Sequence, residues 1–193
     1  MASRIVKLTR STRETDITLT LDPDGPVDGG IATSIPFFDH MLTAMSFHGG
    51  FGLAVKASGD IDVDAHHLVE DTGLVLGRAW AGVLEKGAVE RFAHAVIPMD
   101  EALAEVTVDV CGRPTPVLLM PFAQSHAGTF DLSLLREFFI ALANEARISL
   151  HVEIRRGENG HHMAEAAFKA LGKALGGAYA PAKREMSSKG RIG

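Results

Sequence analysis

The sequence predicts an α+β fold made of two copies of one strand-and-helix unit, packed as a sandwich about a pseudo-twofold axis. Three observations carry that expectation. The segment Asp64-Ala65-His66-His67-Leu68-Val69-Glu70 has a counterpart in Asn159-Gly160-His161-His162-Met163-Ala164-Glu165, and each leads into an Ala/Leu/Gly-rich helical stretch. Upstream, Leu53-Ala54-Val55 aligns with Leu150-His151-Val152. Strand-like and helix-like stretches also alternate in the same order in both halves, so each half can build a small sheet covered by two helices. The halves are expected at about residues 1–92 and 93–193 of a single domain.

In chain order, Ile5 to Leu21 alternates, with Ile17, Leu19 and Leu21 on one face, and stops at Asp22-Pro23-Asp24-Gly25; it reads as strand, turn, strand. Between Pro36 and Ser46 the apolar residues Phe37, Phe38, Met41, Leu42 and Met45 recur at helical spacing, and His48-Gly49-Gly50 ends the helix. Phe51 to Ala57 and Ile61 to Val63 read as short strands around Ser58-Gly59-Asp60, followed by a helix from His66 to about Leu84. The second half gives strands at Ala102–Val110 and Val117–Met120, a helix at Leu132–Ala143, a strand at Ile148–Ile154 and a helix at Ala164–Leu175. The basic, glycine-ended stretch from Pro181 to Gly193 reads as a loose terminus.

Composition narrows the function classes. The net charge is −5 and basic residues form no long run, which argues against nucleic acid and for a small-molecule partner. No secretory signal is visible at the start, the single cysteine, Cys111, leaves no intramolecular disulfide, and apolar stretches such as Phe138 to Ala143 fall far short of the roughly 20 residues that span a bilayer. A cytoplasmic protein without membrane contact is expected. Histidine is the unusual residue: there are nine, four of them in two adjacent pairs.

Those pairs carry the chemistry. Residues four apart share a helix face, so His66 with Glu70 and His161 with Glu165 can each grip one ion. His67 and His162 point roughly 100° away around their helices and should serve another site. A twofold arrangement, within the chain or across subunits, would bring His67 to His161 and Glu165, and His162 to His66 and Glu70. Aligning the halves sets His40 opposite Glu137 on the preceding helices, which nominates one further ligand for each site. Mixed imidazole and carboxylate donors suit Mn²⁺, Fe²⁺ or Zn²⁺, and the absence of cysteine ligands argues against a structural zinc cage. One His-His pair is commonly incidental, but packing does not require the same polar triplet twice. His94 and His126, expected in loops, and His151, expected in mid-strand, are read as non-ligands.

The chain resembles the imidazoleglycerol-phosphate dehydratases over nearly its whole length. The resemblance is carried by Arg13-Glu14-Thr15, Phe38-Asp39-His40-Met41-Leu42, His66-His67-Leu68-Val69-Glu70-Asp71-Thr72, Pro98-Met99-Asp100-Glu101-Ala102, Gly112-Arg113-Pro114, His161-His162-Met163-Ala164-Glu165-Ala166 and Ser187-Ser188-Lys189-Gly190. It implies halves like domain 2 of ribosomal protein S5. It further implies dehydration of D-erythro-imidazole glycerol phosphate to imidazole acetol phosphate in histidine biosynthesis, two Mn²⁺ ions per active site, and a homo-oligomer of twenty-four subunits. The implied metal ligands are His40, His66, His67, Glu70, Glu137, His161, His162 and Glu165.

The carbon-bound proton to be lost is not acidic by itself. If the ring were bound as an imidazolate between two Mn²⁺ ions, those cations would stabilise negative charge developing on it, and expulsion of the hydroxyl would give a diazafulvene-like intermediate. By the resemblance Glu14 is the base, and His48, Arg91, Arg113, Lys169, Ser187 and Lys189 hold the substrate, the last two on a tail that orders over it. Two departures stand out: Glu137 replaces a histidine frequent in the family, and Ala44 replaces a glutamine that many members carry near the substrate. The competing readings are a dinuclear metallohydrolase, which would cleave generic phosphate esters, and a non-catalytic oligomer cemented by metal.

Overall fold

The computed structural model describes residues 3–183. In the first half, β1 (Val6–Ser11), β2 (Thr15–Asp22), β3 (Ile31–Ala32), α1 (Pro36–Gly49), β4 (Gly52–Gly59) and α2 (His66–Leu84) follow one another. The second half runs β5 (Phe92–Met99), β6 (Ala102–Asp109), β7 (Thr115–Leu119), β8 (His126–Ala127), β9 (Phe130–Asp131), α3 (Leu134–Ala146), β10 (Ser149–Arg156) and α4 (Gly160–Ala178).

The two four-stranded sheets share one topology. Their orders are β1-β2-β4-β3 and β5-β6-β10-β7, and in each the last strand pairs in parallel with its neighbour while the other pairs are antiparallel. Period-two patterning decides which face turns inward: Ile17, Leu19 and Leu21 of β2, and Ala104, Val106 and Val108 of β6, are fully buried, while alternate residues remain accessible.

Each half lays its helices on the inner face of its sheet, and the halves join through the helices. Helix α2 packs on α3, and α1 on α4, so each pair contains one helix from each repeat. Glycines permit the close crossing. A Cβ added at Gly77 would lie 2.6 Å from the Leu142 carbonyl oxygen of α3, and one at Gly172 would collide with the Met45 carbonyl of α1. Gly77 and Gly172 stand at the same place in the two repeats, eleven residues after His66 and His161. Aromatic residues fill the space between, with Phe38, Phe138 and Phe168 all buried and in mutual ring contact.

The structure departs from the sequence reading in several places. Residues 61–63 form a turn closed by the Val63 N–H on the Asp60 carbonyl, and the side of β4 where they could have returned is taken at Val55 and Lys56 by β3. Strand β5 is not apparent in the sequence, since none of its residues is fully buried and its inward positions include the small Ala93 and Ala95. His94 therefore lies on a strand and not in a loop, and His126 lies on the two-residue β8. Helix α4 starts at Gly160, earlier than the periodicity suggests, because Asn159 caps it. No described helix is long and apolar enough to cross a membrane.

Candidate metal centre and active site

Each His-His-x-x-Glu motif is preceded, two residues before its first histidine, by an acceptor side chain. The Asn159 carboxamide oxygen, the cap of α4, accepts the His161 N–H at 2.9 Å, and the Asp64 carboxylate accepts the His66 N–H, the first of α2, at 2.7 Å, so the backbone of both first histidines is held by the residue two before it.

In the second motif the side chains converge. His161 Nε2 lies 3.3 Å from Glu165 Oε2 one turn along α4, and His40 Nε2 approaches the same oxygen at 3.5 Å from α1. One ligand atom from each of His40, His161 and Glu165 lies within 4.8 Å of the others. Glu165 is buried, at 7% exposure, whereas the two imidazoles are well exposed, so the group has a fixed floor and an open mouth. Burial alone would push the Glu165 pKa up, but Lys169 Nζ at 2.8 Å, helped by His40, holds it below the usual glutamate value. Phe37 sets its ring edge-on against His161 at 5.3 Å and limits how the imidazole can turn.

Among the described residues the first motif is a pair without a third member. His66 Nε2 lies 3.4 Å from Glu70 Oε2, and both side chains are exposed. Glu137 sits half-buried on α3 at the place matching His40 on α1, yet among the described residues it joins no three-ligand group. Ala44, one turn after His40, is buried and brings no polar atom to the site.

The second histidines turn elsewhere. His67 Nδ1 lies 3.1 Å from Asp60 and 4.0 Å from Glu14 Oε2, and His162 Nδ1 lies 2.8 Å from Glu101. Within one chain, therefore, His67 does not join His161 and Glu165. Hydrogen bonding to Asp60 raises the His67 pKa, and hydrogen bonding to Glu101 raises that of His162. Glu101 itself is held down to about 2, first by the Asn159 N–H, then by His162 and the Glu158 N–H.

Of the remaining sequence-nominated residues, Lys169 is at the centre just described. Arg91 forms a two-pronged pair with Asp109 at the start of β5, Arg113 is exposed on the turn before β7, and His48 is half-buried near the end of α1. His151 is exposed on the outer face of β10, and His126 bonds Ser125; neither joins the metal-type group. Ser187 and Lys189 lie outside the described residues. Asp60 and Glu101 had no assigned role in the sequence reading. Glu101 could have been found by aligning β2 with β6, which sets Glu14 opposite Glu101 just before each strand.

Between the two motifs runs a groove of about 720 Å³, lined among others by Phe37, Asp64, Ala65, Phe130 and His161. Its lining comes from both halves and includes His161 of the metal-type group.

The family model for imidazoleglycerol-phosphate dehydratase matches residues 33–175. Among curated proteins, the imidazoleglycerol-phosphate dehydratase of Syntrophus aciditrophicus (strain SB) is 50% identical over 177 residues, covering 91% of this chain and 90% of that protein. That of Gluconobacter oxydans (strain 621H) is 48% identical over 174 residues, covering 90% and 88%. Among solved structures, the Staphylococcus aureus N315 dehydratase superposes with a TM-score of 0.83 at 36% identity, covering 92% of this chain and 99% of that one. The Pyrococcus furiosus protein, in complex with (S)-C348, gives 0.83 at 38% identity, covering 96% and 100%.

Proposed function

The chain belongs to the imidazoleglycerol-phosphate dehydratase family, and from that premise we propose that it removes water from D-erythro-imidazole glycerol phosphate to give imidazole acetol phosphate, using manganese. The observation that carries the metal part is the convergence of His40, His161 and Glu165 from two different helices on one point. Two imidazoles and a carboxylate suit a borderline divalent ion, and their ligand atoms are close enough to share one. When bound, Mn²⁺ would act as a Lewis acid that stabilises negative charge on the substrate ring.

The chain's own residues account for the rest of the reaction. Glu14 is exposed beside His67, so its carboxylate is placed to take the proton from the middle carbon of the glycerol chain and return it to the hydroxyl leaving the ring-bearing carbon, which departs as water and leaves an enol that becomes the ketone. Lys169 pairs with Glu165 at 2.8 Å on the floor of the His40 group and is the cation there proposed to meet the phosphate substrate. Arg113, exposed on its turn, can serve the same purpose, as can Arg91 and His48 from positions away from the His40 group. Ser187 and Lys189 complete the proposed substrate contacts.

His67 and His162 serve motifs on neighbouring subunits, and the His66–Glu70 pair, with Glu137 as the nominated third ligand, is the second half-site that a partner completes. A homo-oligomer follows, for which twenty-four subunits and a cytoplasmic setting are proposed. The exposed apolar residues Phe92, Val96, Val117 and Leu119 on the outer face of the second sheet support such an assembly.

The test is direct. Protein loaded with Mn²⁺ and given imidazole glycerol phosphate should release the keto product; full metal sites without product would overturn the dehydratase reading. Release of phosphate from generic esters would favour a metallohydrolase instead. In Glu14→Gln, turnover should fall by roughly 10²- to 10⁴-fold with metal content unchanged. Loss of metal in that variant would remove Glu14 from the role of base.

A further inference from the structure

The two repeats treat the second histidine of the motif differently. In the second repeat, Glu101 precedes β6 and its carboxylate is fully engaged. Oε2 accepts from His162 Nδ1 at 2.8 Å, and Oε1 accepts the N–H groups of Glu158 and Asn159 at 3.0 and 2.8 Å. In the first repeat, Glu14 precedes β2 at the equivalent place, yet it stops 4.0 Å short of His67 Nδ1. The contact that Glu101 makes is supplied there by Asp60, from the end of β4, with both oxygens within 3.3 Å of His67 Nδ1.

A carboxylate is an acceptor only, so each of these contacts places the ring proton on Nδ1 and leaves the Nε2 lone pair outward. His67 Nε2 has no protein partner among the described residues. His162 Nε2 has only the exposed Asp100 carboxylate at 3.6 Å, beyond hydrogen-bond length. Carboxylates in this relation to an imidazole fix its tautomer and raise its basicity as a ligand.

We propose that Asp60 and Glu101 are positioning residues that lock His67 and His162 with Nε2 presented to metal, and that Asp60, by taking over the contact, releases Glu14 from the structural duty its counterpart performs. The inference rests on the manganese reading above and deepens it. It explains how a duplicated protein has one carboxylate left over for proton transfer.

Equilibrium dialysis of Mn²⁺ against the full assembled protein tests this, with thermal unfolding of the metal-free protein measured alongside. Asp60→Ala and Glu101→Ala should each weaken Mn²⁺ binding at part of the sites by roughly 10- to 100-fold. Asp60→Asn and Glu101→Gln should weaken it less, since an amide oxygen still accepts the Nδ1 proton. Glu14→Ala should leave Mn²⁺ affinity unchanged. Because Glu101 also holds the Glu158 and Asn159 amides, its alanine variant is expected to unfold at lower temperature; Glu101→Gln and the Asp60 pair separate that effect from metal binding. Wild-type binding with undiminished affinity in both alanine variants overturns this inference alone, as does weakened binding in Glu14→Ala equal to that in Asp60→Ala. Wild-type protein that takes up no Mn²⁺ overturns the underlying reading together with this one.

Discussion

Asp71 follows Glu70 on α2 but turns inward, where its carboxylate accepts from Thr15 Oγ1 at 2.5 Å and pairs with Arg10 at 2.9 Å. Thr15 is the neighbour of Glu14, and Thr12 Oγ1 accepts the N–H groups of both Glu14 and Thr15. A short buried network thus ties the hairpin that carries the proposed base to the helix that carries His66, His67 and Glu70. Asp71→Asn keeps an acceptor for Thr15 but leaves the Arg10 guanidinium without its counter-charge. Leaving one partner of such a part-buried ion pair unmatched costs about 1–3 kcal/mol, so urea unfolding of the metal-free protein should show a loss of that order. Turnover per bound metal should fall as well, since the Glu14 hairpin loses its tether. Unchanged unfolding and turnover would show that the hairpin is held by its strand pairing alone.

At the scale of the helices, the site depends on how closely the halves approach. His40 reaches Glu165 only because α1 lies against α4, and that contact is set by Gly172 beneath the Met45 carbonyl. Replacing a mid-helix glycine by alanine ordinarily stabilises by up to about 1 kcal/mol. Here the added methyl overpacks the crossing, at a cost of about 1–3 kcal/mol, and the second effect wins. Gly172→Ala should lower the unfolding midpoint and separate His40 from Glu165, weakening Mn²⁺ binding. Gly77→Ala in the other helix pair should lower the midpoint while leaving the His40 group intact. A second device joins α2 to α3: the Arg78 guanidinium forks onto Glu145, and this hydrogen bond lowers the Glu145 pKa. A carboxylate whose pKa is lowered in the folded state adds stability above the ordinary glutamate range and loses it as pH falls through the lowered value. Glu145→Gln should therefore reduce stability near neutrality and flatten the acid limb of a stability-against-pH curve.

For the molecule as a whole, the duplication was legible because its signal is a string of residues: two identical triplets opening two helices. The four long helices and the strongly alternating β2 and β6 followed from periodicity. Strand β5 did not, since no residue in it is fully buried and pairing with β6 alone makes it a strand. The anchoring roles of Asp60 and Glu101 were also out of reach, because they exist only once a turn folds Asp60 back on His67 and a hairpin brings Glu101 to His162 across sixty-one positions. Pairing of His40 with the second motif and not the first is likewise a property of the helix crossing. What symmetry suggested and one chain does not supply is the meeting of His67 with His161 and Glu165. If that meeting takes place between subunits, inactivating changes in different chains should complement each other. Chains carrying His67→Ala retain His161, and chains carrying His161→Ala retain His67; each homogeneous assembly should be inactive. Co-expressed with different tags and purified through both, mixed assemblies should recover activity at about one site in four, the fraction in which the two intact residues face each other across an interface. Mixed assemblies as inactive as either parent would place both residues of each site in the same chain.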